Sequence, residues 1–152
     1  MQELINKTII HGVYIVTTKS GERKNGMTAA WVSQVSFKPP LIMAAIAPVR
    51  YTHGLIKSSG YFAINTLAQD QKELAKHFGF RSGRKVDKFD QIPHTETGHG
   101  SPILKDAIAY IECKLTNTFE AGDHTLFIGD VIEGEVLKPD KRPLLFVWEE
   151  FF

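Results

Sequence analysis

One cysteine, Cys113, is present among 152 residues, which rules out an internal disulfide and any cysteine-built metal centre. It lies in Ala109–Leu115, where alternation puts Ala109, Ile111, Cys113 and Leu115 on one apolar face, so it reads as a buried core thiol. No apolar run approaches the roughly 18 residues of a membrane span, and the N-terminus lacks the basic start and apolar core of a secretory signal. The chain is therefore expected to be soluble and cytoplasmic, with no membrane partner. Charge is nearly balanced, at a formal +1, so no global field recruits nucleic acid or anionic lipid. There is no glycine-rich dinucleotide fingerprint, no Walker loop and no Gly-x-Ser-x-Gly elbow, so a nicotinamide, if used, binds as a visiting substrate. His11, His53, His77, His94 and His99 show no ligand spacing, and no metal is expected.

What is present is strand signal. A chain of this length fits a single domain, residues 1–152. Apolar or alternating runs predict strands at Ile9 to Thr18, Met27 to Phe37, Leu41 to Ala47 and Tyr61 to Thr66. A short helix is predicted over Thr52 to Ser58, with Thr52 as N-cap and Gly60 as exit, and a second over Asp70 to Phe78, with Asp70 as N-cap. Residues 80 to 106 show no sustained period and read as one long loop. Strands resume at Ala107 to Phe119, Thr125 to Leu137 and Leu144 to Trp148. With about seven strands and links too short for helical crossovers, the fold is expected to be mainly β: an antiparallel, small closed or partly open barrel with a few accessory helices.

Residues 25 to 40 are the most informative stretch. Asn25-Gly26 is a turn signal, the following strand carries little side-chain bulk at Thr28, Ala29, Ala30 and Ser33, and Trp31 offers one aromatic plane. Such a surface lets a flat ring approach the backbone and points to a flavin; the alternative is an ordinary edge strand whose small residues pack under a neighbouring loop. Arg81, Arg84, Lys85 and Lys88 concentrate four positive charges, which either form a solvated basic loop or suit a ribityl phosphate or pyrophosphate. Arg50-Tyr51-Thr52 opens the first helix, where free amides, a hydroxyl and a guanidinium can converge on the same kind of anion. His124, just after the Ala121-Gly122-Asp123 turn, reads either as a structural histidine at the start of a strand or as a hydrogen-bond donor at a redox centre.

These elements together resemble the flavin reductase-like proteins of the FMN-binding split-barrel group, in the style of the flavoredoxin and small ferric-reductase branch. The resemblance is carried, in order, by Asn25–Trp31 with Val35–Pro40, by Ala47–Thr52, by Phe62–Asn65, by Gly83–Phe89 and by Gly122–Thr125. It implies a Greek-key antiparallel barrel and a homodimer, with FMN near the subunit interface and its ring along the strand that begins at Met27. Thr28, Ala29 and Ala30 would face the ring edge, Trp31 would line the pocket, and Ser33, Arg50 and Thr52 would hold the phosphate. Ala47, Arg84 and Lys88 complete the implied cofactor set, and His124 is the implied catalytic residue beside the ring or the incoming nicotinamide. The implied reaction takes hydride from NADH or NADPH and passes electrons to free flavin, ferric complexes or a protein; the rival is an FMN electron carrier without appreciable NAD(P)H oxidation. The end of the chain departs from the group: the acidic, aromatic segment Leu144–Phe152 is expected to pack on a partner subunit. Val35 or a neighbour stands where some members have a cysteine near the flavin.

Overall fold

The computed structural model describes all 152 residues. Helix α1 (Gln2–Thr8) leads to β1 (Tyr14–Ser20), β2 (Arg23–Ala29), β3 (Val32–Ser36) and β4 (Leu41–Ile46). Helix α2 (Tyr51–Ser59), β5 (Tyr61–Thr66) and α3 (Lys72–Gly79) follow, then the short hairpin β6 (His94–Glu96) and β7 (Pro102–Leu104), the long hairpin β8 (Ala109–Ala121) and β9 (His124–Val136), and α4 (Trp148–Phe151). No helix is long and apolar enough to cross a membrane.

Seven strands form one sheet in the order β2-β1-β5-β8-β9-β4-β3, every pairing antiparallel. The two edge strands, β2 and β3, are consecutive in the chain and separated only by Ala30 and Trp31. The sheet therefore curls until its edges nearly meet, and Trp31 C=O, in the crossing, accepts from the Ala45 amide at 3.0 Å and so extends the β3–β4 ladder by one residue. This is a split barrel. Alternation along β9 turns Thr125, Phe127 and Gly129 inward and Leu126 and Ile128 outward. Inside the barrel Val16, Ile46, Phe62, Cys113 and Phe127 pack together. A second cluster under α3 gathers Val13, Ile15, Phe78, Phe89, Leu104 and Phe151.

Several sequence expectations hold closely, including β4, β5 and α2, whose exit at Gly60 has φ +78° in the left-handed region that glycine enters without cost. Cys113 is fully buried, and burial, with help from Glu112 and Asp130, pushes its thiol up to about 12.

Others are corrected. The predicted strand Met27 to Phe37 is two strands broken at Ala30-Trp31, because the chain there crosses from one sheet edge to the other. Asn25-Gly26 is no turn but lies inside β2 opposite Thr18 and Thr17; a Cβ at Gly26 would come within 3.1 Å of Ile15 and Phe78. The strand predicted from Ile9 begins only at Tyr14, since residues 2 to 8 coil into α1. Neither predicted cap serves: Arg50 and Gln71 occupy the N-cap positions, while the Thr52 hydroxyl accepts from Asn25 Nδ2 at 2.9 Å and Asp70 pairs with Lys141. The loop predicted over 80 to 106 contains the β6–β7 hairpin, with Phe89, Ile103 and Leu104 buried. Its far end is held by fully buried Glu112, which accepts from Thr97 and lies 3.1 Å from His99 Nδ1. Leu144 to Trp148 makes only an isolated bridge at Leu145 before α4.

Candidate functional site

The seam of the barrel opens into a cleft of about 340 Å³, floored by Ala29, Ala30, Ala45 and Ala47. Four methyl side chains leave backbone within reach of a flat ligand, and volumes of this size are typical of small-molecule sites. Trp31 and His124 form one wall, their ring centroids 4.6 Å apart at 47°. His124 Nδ1 lies 2.7 Å from Asp123 Oδ1; that bond, and then the imidazole charge, holds the Asp123 carboxyl below its ordinary range. With its Nδ1 side committed, the imidazole keeps Nε2 available.

A second pocket of about 240 Å³ shares Met27, Arg50, Gly79, Phe80, Arg81 and Lys88 with the first. It lies between the start of α2 and the turn after α3, and Thr52, Ser82 and Arg84 also line it. The first amides of α2 have no intrahelical acceptor and carry the positive end of the helix dipole. Arg84 Nη1 donates to Val49 C=O at 3.0 Å, and its guanidinium lies 5.1 Å from the Tyr51 ring centroid. Gly83 is required here, since a Cβ would stand 2.9 Å from the Tyr51 ring. The Arg50 guanidinium takes no hydrogen bond or ion pair within the chain, yet Arg50 lines both pockets. No aspartate or glutamate lines either one. A planar group over the alanine floor with an anionic tail beside Arg50 therefore fits the residues present.

Lys88 stands between the pockets and is only 4% exposed. Its ammonium donates to Gly26 C=O and Phe78 C=O, both at 2.9 Å, tying β2 to the end of α3. Burial first, and the nearby Arg50 charge second, push its pKa down to about 8. One of its three donors remains for a ligand.

Of the residues singled out from sequence, Met27, Thr28, Ala29, Ala30, Trp31, Ala47, Arg50, Lys88 and His124 meet around the larger cleft, and Thr52 and Arg84 line the adjoining pocket. The Thr28 hydroxyl is already committed to Ala75 C=O at 2.5 Å. Ser33 is not with them: it is exposed on β3 beside a separate pocket that includes Tyr14 and Tyr110, so it does not join Arg50 and Thr52. Bulk was low there, but the break after Ala30 carries Ser33 past the cleft. Lys85 lines neither pocket, and Arg81 is turned toward His77, donating to its C=O at 3.3 Å.

Sequence reasoning missed one wall of the cleft, made by Phe80, Phe146, Trp148 and Phe152, with Gln2, Asn6 and His11 nearby. The density of aromatics after residue 145 was the available signal. Within that segment Phe151 is buried in the chain's own core, while Trp148 and Phe152 stay exposed.

Comparison with known proteins agrees with this geometry. The model of the flavin reductase like domain matches residues 6–152. The ferric-chelate reductase (NAD(P)H) of Archaeoglobus fulgidus is 36% identical over 132 residues, 86% of this chain and 78% of that protein. A putative diflavin flavoprotein A 5 of a Nostoc species is 38% identical over 87% of this chain, which spans only 23% of that longer protein. Among solved structures, the NADH:FAD oxidoreductase SgcE6 of Streptomyces globisporus superposes with a TM-score of 0.88 at 30% identity, over 95% of this chain and 86% of its own. With a family model running almost from end to end and the barrel shared with a solved oxidoreductase, the chain belongs to the flavin reductase like family of flavoprotein oxidoreductases.

Proposed function

We propose that the protein binds FMN in this cleft, takes hydride from NADH or NADPH and passes electrons to free flavin, ferric complexes or a protein. The observation that carries the reading is the joined pair of pockets: an alanine-floored slot opening onto a basic pocket, with no carboxylate in either lining. When bound, the flavin supplies the hydride-accepting and electron-passing chemistry. The chain's part is to bind, orient and exclude water. Met27, Ala29, Ala30 and Ala47 offer a shallow surface to the ring, and Trp31 closes one side. Arg50, Thr52, Arg84 and the first amides of α2 gather around a single phosphate, which favours FMN. Lys88, held by two carbonyls, presents a fixed positive charge that favours the more negative, reduced cofactor. His124, oriented by Asp123, supplies a hydrogen bond beside the ring and the incoming nicotinamide.

A homodimer completes the reading. The outer face of β8, β9 and β4 carries Phe119 opposite Leu126, and Ile128 opposite Met43, a contiguous apolar stripe beside the cleft wall at Trp31. Phe119 is 55% and Trp31 44% exposed, surface that a second copy would cover. The second functional reading, an FMN electron carrier, is favoured by the match to a segment of the longer Nostoc diflavin flavoprotein.

The test is a visible absorption spectrum of the purified chain, FMN titration, and anaerobic addition of NADH and then NADPH. Bound FMN that bleaches within seconds supports the reductase. Bound FMN that stays oxidised moves the assignment to the carrier, and no FMN binding overturns both.

A further inference from the structure

The wall contributed by the end of the chain takes no part in holding FMN in the reading above, yet it is built as a stacking surface. Trp148 and Phe152 lie face to face, centroids 4.4 Å apart and planes 27° from parallel, and Phe80 meets Phe152 edge to face at 5.7 Å. These rings remain 47%, 68% and 56% exposed. They are nevertheless anchored. Phe151, 8% exposed, sits in the core beneath them, and Glu150 pairs with Lys72 of α3 at 3.4 Å. An anchored aromatic surface left open along a cleft stacks a planar ligand with little ordering cost.

The polar groups on the same cleft say which ligand. Gln2 Nε2 donates to Asn6 Oδ1 at 2.8 Å, so the Asn6 amide keeps both of its own N–H donors free. His11 adds a ring with no hydrogen-bond partner. Arg81, the cation next to Phe80, is tied to His77. Amide donors beside aromatic faces match carbonyl oxygens on an uncharged ring, whereas a ring bearing phosphate would be better served in the basic pocket on the other side of Lys88.

We propose that the aromatic wall of Phe80, Trp148 and Phe152 docks the electron acceptor, and that this acceptor is a quinone, a compact uncharged ring whose carbonyl oxygens reach the Asn6 amide. The inference rests on the FMN reading for its source of electrons. In the overall step NAD(P)H gives up a hydride, breaking its ring C–H bond and losing two electrons. The quinone gains those two electrons, and its two carbonyl oxygens become hydroxyls with the transferred proton and one proton from solvent.

The experiment uses the full chain and menadione as the probe. Equilibrium dialysis, with and without FMN, measures menadione binding directly. The wild type binds it, Trp148→Ala and Phe152→Ala weaken it roughly two- to tenfold, the range that one lost stacking contact represents, and Trp148→Phe restores it. In FMN-loaded protein the ratio of kcat/KM for menadione to that for ferric-EDTA, which has no ring system to stack, falls by a similar factor in the alanine variants and recovers in Trp148→Phe. Menadione binding equal in all variants, or equal loss with both acceptors, overturns the proposal. A wild type that binds FMN but not menadione sinks the quinone site alone. One that binds menadione but not FMN sinks the cofactor reading and leaves the ring site standing.

Discussion

Removing the Lys88 charge is the perturbation with the clearest sign. The ordinary lysine value of 10.5 and the buried value of about 8 differ by about 3 kcal/mol at 1.36 kcal/mol per pH unit. That is what ionising Lys88 inside the fold costs without a ligand. Because the folded pKa lies below the unfolded one, the unfolded chain holds the extra proton between about pH 8 and 10.5, and this group's contribution to stability rises with pH across that window. Binding should run the other way. A phosphate or reduced ring some 6 Å from the ammonium gains about 3 kcal/mol at an effective dielectric of about 20, and loses it as Lys88 deprotonates. FMN affinity of the wild type should therefore fall as pH rises from 7 to 9, a range in which the phosphate is already dianionic. Lys88→Met should bind FMN on the order of a hundredfold more weakly at pH 7, lower the flavin potential, and show little pH dependence. Flavin fluorescence titrations at steps between pH 7 and 9 read both effects, with thermal melts of the free proteins as a control. Wild-type affinity in Lys88→Met, or an unchanged pH dependence in that variant, would refute the role given to the charge.

Arg50→Ala removes a guanidinium with no partner in the chain, so the melting temperature should stay within about 2 °C while FMN binding weakens tenfold or more; calorimetric titration checks this, and unchanged affinity would place the phosphate elsewhere. Gly129→Ala should destabilise the fold by roughly 1–3 kcal/mol or more in urea unfolding, because its Cβ would stand 2.5 Å from Cys113 Cβ and 2.8 Å from the Phe62 ring. Ile128→Asp, on the outward face of β9 opposite Met43, should convert a dimer to monomer in sedimentation equilibrium at micromolar protein; a dimer that persists would move the interface off this stripe.

The larger part of the architecture was legible in the chain because local chemistry and global packing agree there. Leu41 to Ala47 and Tyr61 to Thr66 are apolar, of strand length and bounded by Pro48 and Gly60, and they become central strands. Cys113 alternates with apolar neighbours and is buried. The residue types around the cleft, small at 28 to 30 and basic at 50, 84 and 88, were visible for the same reason: a flat ring and an anion demand those side chains wherever they sit. The tertiary structure decided what depends on long-range closure. Whether Met27 to Phe37 is one strand or two depends on where the barrel's edges meet. Asn25-Gly26 carries a turn signature, yet Gly26 is glycine because Phe78, 52 residues later in the chain, packs against it. Lys88 looked like one charge of a solvated basic loop, and only the approach of α3 to β2 makes it a buried, doubly bonded cation. Ser33 and the aromatic end changed places for the same reason: the chain's local pattern names a residue's chemistry, but which side of the cleft it reaches is set by the curl of the sheet and the packing of Phe151 beneath it.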